Sequence, residues 1–153
     1  MFTLFHSPTV LELIRGPVAH PAAGLSPLEL VIDRYGLAKR RWRGRASDGR
    51  EFGFDLRLPL RHGDVFHESS THCYVVAQTP EAVLRIEMIS LTRAARVAWN
   101  IGNLHFPVMI SHGYLLAEDD PAVRQMLERE DILFVTATVV FEPQAGLAGH
   151  HHH

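Results

Sequence analysis

Val83–Pro107 reads VLRIEMISLTRAARVAWNIGNLHFP, and its hydrophobic period changes partway along. Leu84, Ile86 and Met88 alternate with Arg85 and Glu87, the period-two pattern of a half-buried strand over Val83–Ile89. Ser90 then offers a hydroxyl suited to an N-cap. Leu91, Ala94, Ala98 and Ile101 recur three or four residues apart, which predicts an amphipathic helix over 91–102. Gly102 and Asn103 both tolerate the left-handed backbone that ends helices, so the C-cap is expected there. Pro107 prevents the helix from resuming. His105 is thereby held on a stiff scaffold just past the stop. Alone, a histidine near a helix end is an ordinary capping or packing residue.

The grammar continues C-terminally. Phe106–Ile110 and Tyr114–Ala117 read as strands around a Ser111-His112-Gly113 turn. Asp120 suits an N-cap and Pro121 the first helical position, with Val123, Met126 and Leu127 as the buried stripe. Leu133–Phe141 is a β-rich closing strand. The order β-α-β-β-α-β is the ferredoxin-like pattern, an antiparallel sheet with two helices on one face.

Upstream, short strands are expected at Leu28–Asp33, Arg41–Ala46, Glu51–Leu56, Val65–Phe66 and Cys73–Ala77. Asp48-Gly49 marks a tight hairpin and Arg61-His62-Gly63-Asp64 a second turn. Close spacing of short strands implies a small β domain, sandwich-like or an open barrel, ending near Pro80. The basic run Lys39–Arg45 alternates, which places its arginines on the wet face of a half-buried strand. Asp33, Asp48, Glu51 and Asp55 are near enough in sequence to offset that charge. Before Leu28, four prolines leave an irregular lead-in, in which only Thr9–Ile14 has strand character.

The 153 residues carry fifteen basic and seventeen acidic side chains, a net charge of -2 that gives no general attraction to nucleic acid or anionic membranes. The one cysteine, Cys73, excludes an internal disulfide and a multi-cysteine metal cage, and its apolar strand predicts a buried thiol. No apolar run approaches the ~20 residues of a membrane span, and the N-terminus lacks the positive region of a secretory signal, so the expected compartment is the cytoplasm. Neither a nucleophile motif nor a Gly-rich phosphate loop is present, which argues against an enzyme. The anomalous count is histidine, at eleven, of which His150, His151, His152 and His153 end the chain. A terminal run of this kind can be an expression tag, but here it follows its preceding segment without a cloning scar.

Four pieces of the chain, Asp48-Gly49-Arg50-Glu51, Arg61-His62-Gly63-Asp64, Ile101-Gly102-Asn103-Leu104-His105 and Phe141-Glu142-Pro143-Gln144-Ala145-Gly146 before terminal histidines, resemble the UreE-type urease accessory proteins. The last two are specific in combination, and the resemblance runs from about Leu28 to His153. It implies an α+β protein with an irregular lead-in (1–27), a small all-β domain for protein contact (28–79), a ferredoxin-like metal-binding and dimerisation domain (80–145) and a flexible histidine tail (146–153). It further implies a cytoplasmic nickel metallochaperone that forms a homodimer and serves urease through an accessory GTPase complex and the urease apoprotein. In that family His105 would meet its symmetry mate around one nickel ion, with His150–His153 adding ligands. Leu104 stands where the family commonly has arginine, and Asn100 where many relatives have another histidine.

Imidazole suits divalent nickel, with zinc and copper as competitors, whereas carboxylates alone suit harder ions. One histidine per subunit is half a site, and two-fold symmetry supplies the other half. His112, between the strands after His105, is the best outside candidate for a further ligand. His6, His20, His62, His67 and His72 read as surface or turn residues. The rival to a dedicated chaperone is a general divalent-metal buffer or protein-interaction module. Because ligation needs neutral imidazole, nickel affinity is expected to weaken as pH falls through ~6.5. A titration giving equal affinity at mildly acidic and neutral pH would rule out histidine ligation.

Overall fold

Residues 11–144 are described by the computed structural model, and among them the chain is mixed α+β, mostly strands with three helices. It divides into two compact units, Met1–Thr79 and Pro80–His153. No helix among the described residues is long and apolar enough to cross a membrane.

The first unit contains β1 (Glu12–Ile14), β2 (Ser26–Ile32), α1 (Arg34–Leu37), β3 (Arg41–Arg45), β4 (Glu51–Asp55), β5 (Val65–Glu68) and β6 (His72–Gln78). They form two three-stranded sheets, ordered β1-β4-β3 and β2-β6-β5. Strand alternation sends Phe52, Phe54, Phe66, Tyr74, Leu30 and Val76 into one shared core. The aromatic rings meet edge-on at 5.0–5.2 Å, and Trp42 stacks on Phe54 at 3.7 Å. Gly44 is required where β3 passes Leu30, because a Cβ there would come within 2.9 Å of that side chain. Gly49, at φ +87°, makes the β3–β4 turn. The single turn α1 follows Asp33, whose carboxylate accepts from the Gly36 amide at 2.6 Å. No periodicity marks so short a helix in the sequence.

The lead-in is more than a tether, since β1 pairs in parallel with β4. Glu12 on β1 accepts from Arg50 and lies 3.2 Å from His67 Nδ1, which ties it to both sheets. The arginines of the basic strand do point to water. Asp55 pairs with Arg15 at 2.6 Å and with Arg41 at 3.0 Å, and Glu51 pairs with Arg45 at 2.5 Å. Asp33 and Asp48 do not share in this, being committed to the α1 cap and to the hairpin. Cys73 is half-buried, not buried, because strand alternation sends Tyr74 and Val76 to the core and Cys73 to the opposite face.

Asp48 accepts from the Arg50 amide at 3.0 Å and from the Tyr74 hydroxyl at 2.7 Å. These bonds favour its charged form and hold its pKa below the usual 3.8, the Arg50 amide contributing most. A depressed folded-state pKa gives stability that is complete above the unfolded value and lost as pH falls through the folded one. Asp48→Asn is therefore expected to flatten the acid limb of the stability curve below pH ~4, read by thermal melts at successive pH values. An acid limb identical to that of the parent chain would contradict this role.

The second unit contains β7 (Glu81–Glu87), α2 (Leu91–Asn103), β8 (Val108–Ser111), β9 (Tyr114–Glu118), α3 (Pro121–Arg129) and β10 (Val135–Val139). The sheet is antiparallel throughout, ordered β10-β7-β9-β8, so β10 and β8 are its edges. On one face Leu84, Ile86, Leu115 and Ala117 pack against Val97 and Ile101 of α2 and Val123, Met126 and Leu127 of α3. The N-caps are those expected, with Ser90 accepting from the Arg93 amide at 3.2 Å and Asp120 from the Ala122 amide at 2.8 Å. β8 and β10 are each shorter than the runs that announced them. Phe106 and Phe134, outside the strands, pack on the helix-side core.

The opposite face of the sheet carries Val83, Leu116 and the fully buried Phe141, with Met109, Tyr114, Ala137 and Val139 around them. Among the described residues no helix covers this face. The segment after β10 does so, seating Phe141 there and then reaching β8, where the Gln144 amide donates to the Val108 carbonyl at 3.0 Å.

Candidate metal centre

His105 lies where α2 ends, and the way the helix ends differs from the sequence expectation. Gly102 and Asn103 are both helical, and Leu104 is the C-cap with φ −80°. The left-handed residue is His105 itself, at φ 64°. Its amide donates to the Gly102 carbonyl at 2.9 Å, and the Phe106 amide donates to Ile101 at 3.3 Å. This pair of bonds is a Schellman motif, with His105 where glycine usually stands. Packing decides the position. Ending here brings Phe106 onto Ile101 in the core, whereas a left-handed Gly102 would have paired polar Asn103 with Ala98.

The imidazole is exposed and borne on a backbone that most side chains avoid. It adjoins an unpartnered stripe on α2. Leu91, Ala95, Trp99 and Gly102 recur at helical spacing, all exposed, with Leu91 at 87% and Trp99 at 68%. Among the described residues Gly102 has no packing atom within 4 Å of where a Cβ would sit, so none of them demands its small size.

The other candidates fall elsewhere. His112 is exposed in the β8–β9 turn, at the opposite end of β8 from His105, so the two do not converge within one chain. His150, His151, His152 and His153 lie outside the described residues, as does His6. Among the described residues no group of three or more His, Cys, Asp or Glu side chains is placed to hold a metal. His62 Nδ1 accepts from the Gln78 amide at 3.1 Å, His67 faces Glu12, and His72 Nδ1 lies 2.7 Å from the Thr71 hydroxyl. The acidic stretch Glu118–Asp120 is likewise occupied. Asp120 caps α3, and Asp119 binds Arg124 through two bonds of 2.5 and 2.8 Å that lower its pKa.

A residue that the sequence reading passed over is Gln144. Besides its backbone bond to Val108, its side-chain oxygen accepts from the Ile110 amide at 2.8 Å and its nitrogen donates to the Ile110 carbonyl at 3.2 Å. It thus occupies the free edge of β8, the strand that leads away from His105. Only its place in the Phe-Glu-Pro-x-x-Gly motif hinted at a role.

Among the described residues the candidate site is thus a single exposed imidazole at a helix terminus, beside an exposed apolar stripe of the same helix. Comparison with known proteins narrows this. Residues 81–153 match the family described as UreE urease accessory protein, C-terminal domain. A urease accessory protein UreE of Beijerinckia indica is 31% identical over 92% of this chain and 82% of its own length. That of Ralstonia nicotianae is 33% identical over 81% of this chain and 61% of its own length, and that of a Nostoc species 34% identical over 63% and 69%. The chain belongs to the UreE urease accessory protein family.

Proposed function

We propose that this protein is a nickel metallochaperone acting in urease maturation, a homodimer in which His105 of each subunit contributes to one shared ion. The observation that carries the reading is the placement of His105: exposed, fixed by a Schellman turn and borne at some conformational cost where glycine would be free of strain. Family membership supports the urease role and an accessory rather than catalytic task.

The α2 stripe supports pairing of two copies. Leu91 and Trp99 are large apolar groups left in water, and the open space beside Gly102 lets another backbone approach next to His105. A two-fold axis there would bring the imidazoles together. The βαββαβ order and sheet order support reading residues 80–145 as the ferredoxin-like dimerisation domain. The neighbouring β unit, at 28–79, then serves contact with the accessory GTPase and urease apoprotein. His150–His153 complete or vacate the remaining coordination positions, and the compartment is the cytoplasm.

The test is a nickel titration, with zinc alongside, of the intact chain, His105→Ala and a truncation after Gly149. One tight site per dimer is expected, lost in His105→Ala, with truncation lowering affinity or stoichiometry. Tight binding by His105→Ala at the parental level would overturn the assignment. Many equivalent sites per dimer would instead indicate a general divalent-metal buffer.

A further inference from the structure

We infer that the open edge of β3 docks an acidic, extended segment of a protein partner by strand addition. The inference deepens the contact role proposed for the β unit and rests on that reading for the partner being a protein. The chemistry of the partner comes from the edge itself.

The Leu56 amide donates to the Arg40 carbonyl at 2.8 Å and the Ala46 amide to the Arg50 carbonyl at 2.9 Å. With Trp42 opposite Phe54 and Gly44 opposite Phe52 between them, the even-numbered residues of β3 are the ones bonded to β4. The N–H and C=O groups of Arg41, Arg43 and Arg45 therefore point away from β4. β3 is an edge of its sheet, and among the described residues no hydrogen bond engages these outward groups. The edge closes only beyond them, where the Ser47 amide donates to the Glu29 carbonyl of β2 at 2.8 Å.

Charge decides what can pair there. The same three residues carry their side chains on the wet face, and the acids expected to offset them do so only in part. Asp55 is shared between Arg41 and Arg15, and Glu51 pairs with Arg45. Arg43 lies opposite Gly53, which has no side chain to answer it. Lys39 and Arg40, at the entry to the strand, likewise have no carboxylate partner among the described residues. The residual charge is thus positive and follows one strand at a two-residue repeat. An added strand sets alternate side chains on that same face at the same repeat, so an acid at every second position meets the arginines in register. An uncharged strand gains no such pairing and a basic one is repelled, so the arginines guard the edge against other occupants. Nucleic acid is the poorer fit. It cannot complete the hydrogen bonds of a strand, and Glu51 and Asp55 stand among the arginines.

The experiment uses the full chain and a fluorescent synthetic peptide that alternates glutamate with valine. Its lysine analogue, and a copy N-methylated on the amides that face the edge, are the controls. Binding is read by anisotropy, and exchange of the Arg41 and Arg43 amides by NMR. The glutamate peptide is expected to bind, to slow both amides at least about tenfold, and to release as salt rises to about 1 M. Arg43→Ala is expected to weaken binding about two- to fivefold and Arg43→Glu more than about tenfold. Neither should shift the thermal midpoint, since the side chain is exposed. Binding that leaves the Arg41 and Arg43 amides unprotected would overturn strand addition, as would undiminished binding of the N-methylated copy. Tighter binding of a single-stranded oligonucleotide would make the face a nucleic-acid surface and overturn the inference too. The accessory GTPase and urease apoprotein are titrated in parallel. If they bind the parent and Arg43→Glu chains alike, the docking edge is refuted and the contact role of the β unit stands. If they bind neither, the contact role fails, and the peptide measurements alone decide the edge.

Discussion

His105→Gly is expected to make the protein more stable while removing its tightest nickel site. The left-handed backbone at φ 64° is nearly free for glycine, whereas a Cβ makes it costly by about 1 kcal/mol. Glycine keeps both Schellman bonds, since these use backbone groups only. A gain of about 1 kcal/mol in a chain of this size raises Tm by about 2–4 °C. Loss of a ligand should exceed the roughly 10–100-fold effect of disturbing a ligand's outer partners. His105→Ala provides the control. It loses the site equally but retains a Cβ, so it gains no such stability. Differential scanning calorimetry beside nickel titration separates the cases. A His105→Gly protein less stable than His105→Ala would show that the imidazole itself supports the fold, contrary to its exposure.

The larger loss of stability belongs to Phe141→Ala. Phe141 is wholly buried against Val83 and Leu116, on the face of the sheet opposite α2 and α3. Removing a buried phenylalanine ring costs about 3–5 kcal/mol, more than many domains of this size can lose with impunity. The second unit should unfold at markedly lower urea, followed through fluorescence of Trp99, while Trp42 reports on the first unit. Phe141→Leu, which refills much of the space, should recover most of the stability. Little change in the Phe141→Ala midpoint would mean that this face collapses around the void.

Much of the fold was legible because its signals are local. Alternation in Leu84–Met88, the three- and four-residue spacing in α2, and the Ser90 and Asp120 caps depend only on neighbours in sequence. The helix stop was misplaced by the same reasoning. Gly102-Asn103 is the better local candidate for a left-handed backbone, yet the choice was made by Phe106 reaching Ile101, a tertiary contact. Cys73 was assigned to the core for a similar reason, since an apolar run does not declare which of its faces points inward. At the candidate site, His105 stood out by its setting. His112 seemed adjacent only because sequence distance hides the length of β8. Gln144 was unreadable, for its partners are thirty-four and thirty-six residues away and are backbone groups.

The two edges of the second sheet are left in different states. Gln144 occupies the outward groups of β8, so that edge offers little to an incoming strand. β10, Val135-Thr136-Ala137-Thr138-Val139, is uncharged and rich in β-branched residues, with Val135 exposed and Leu133 exposed just before it. Such an edge is the template on which sheets of separate molecules join. Among the described residues, then, an incoming strand is expected to add at β10 and not at β8.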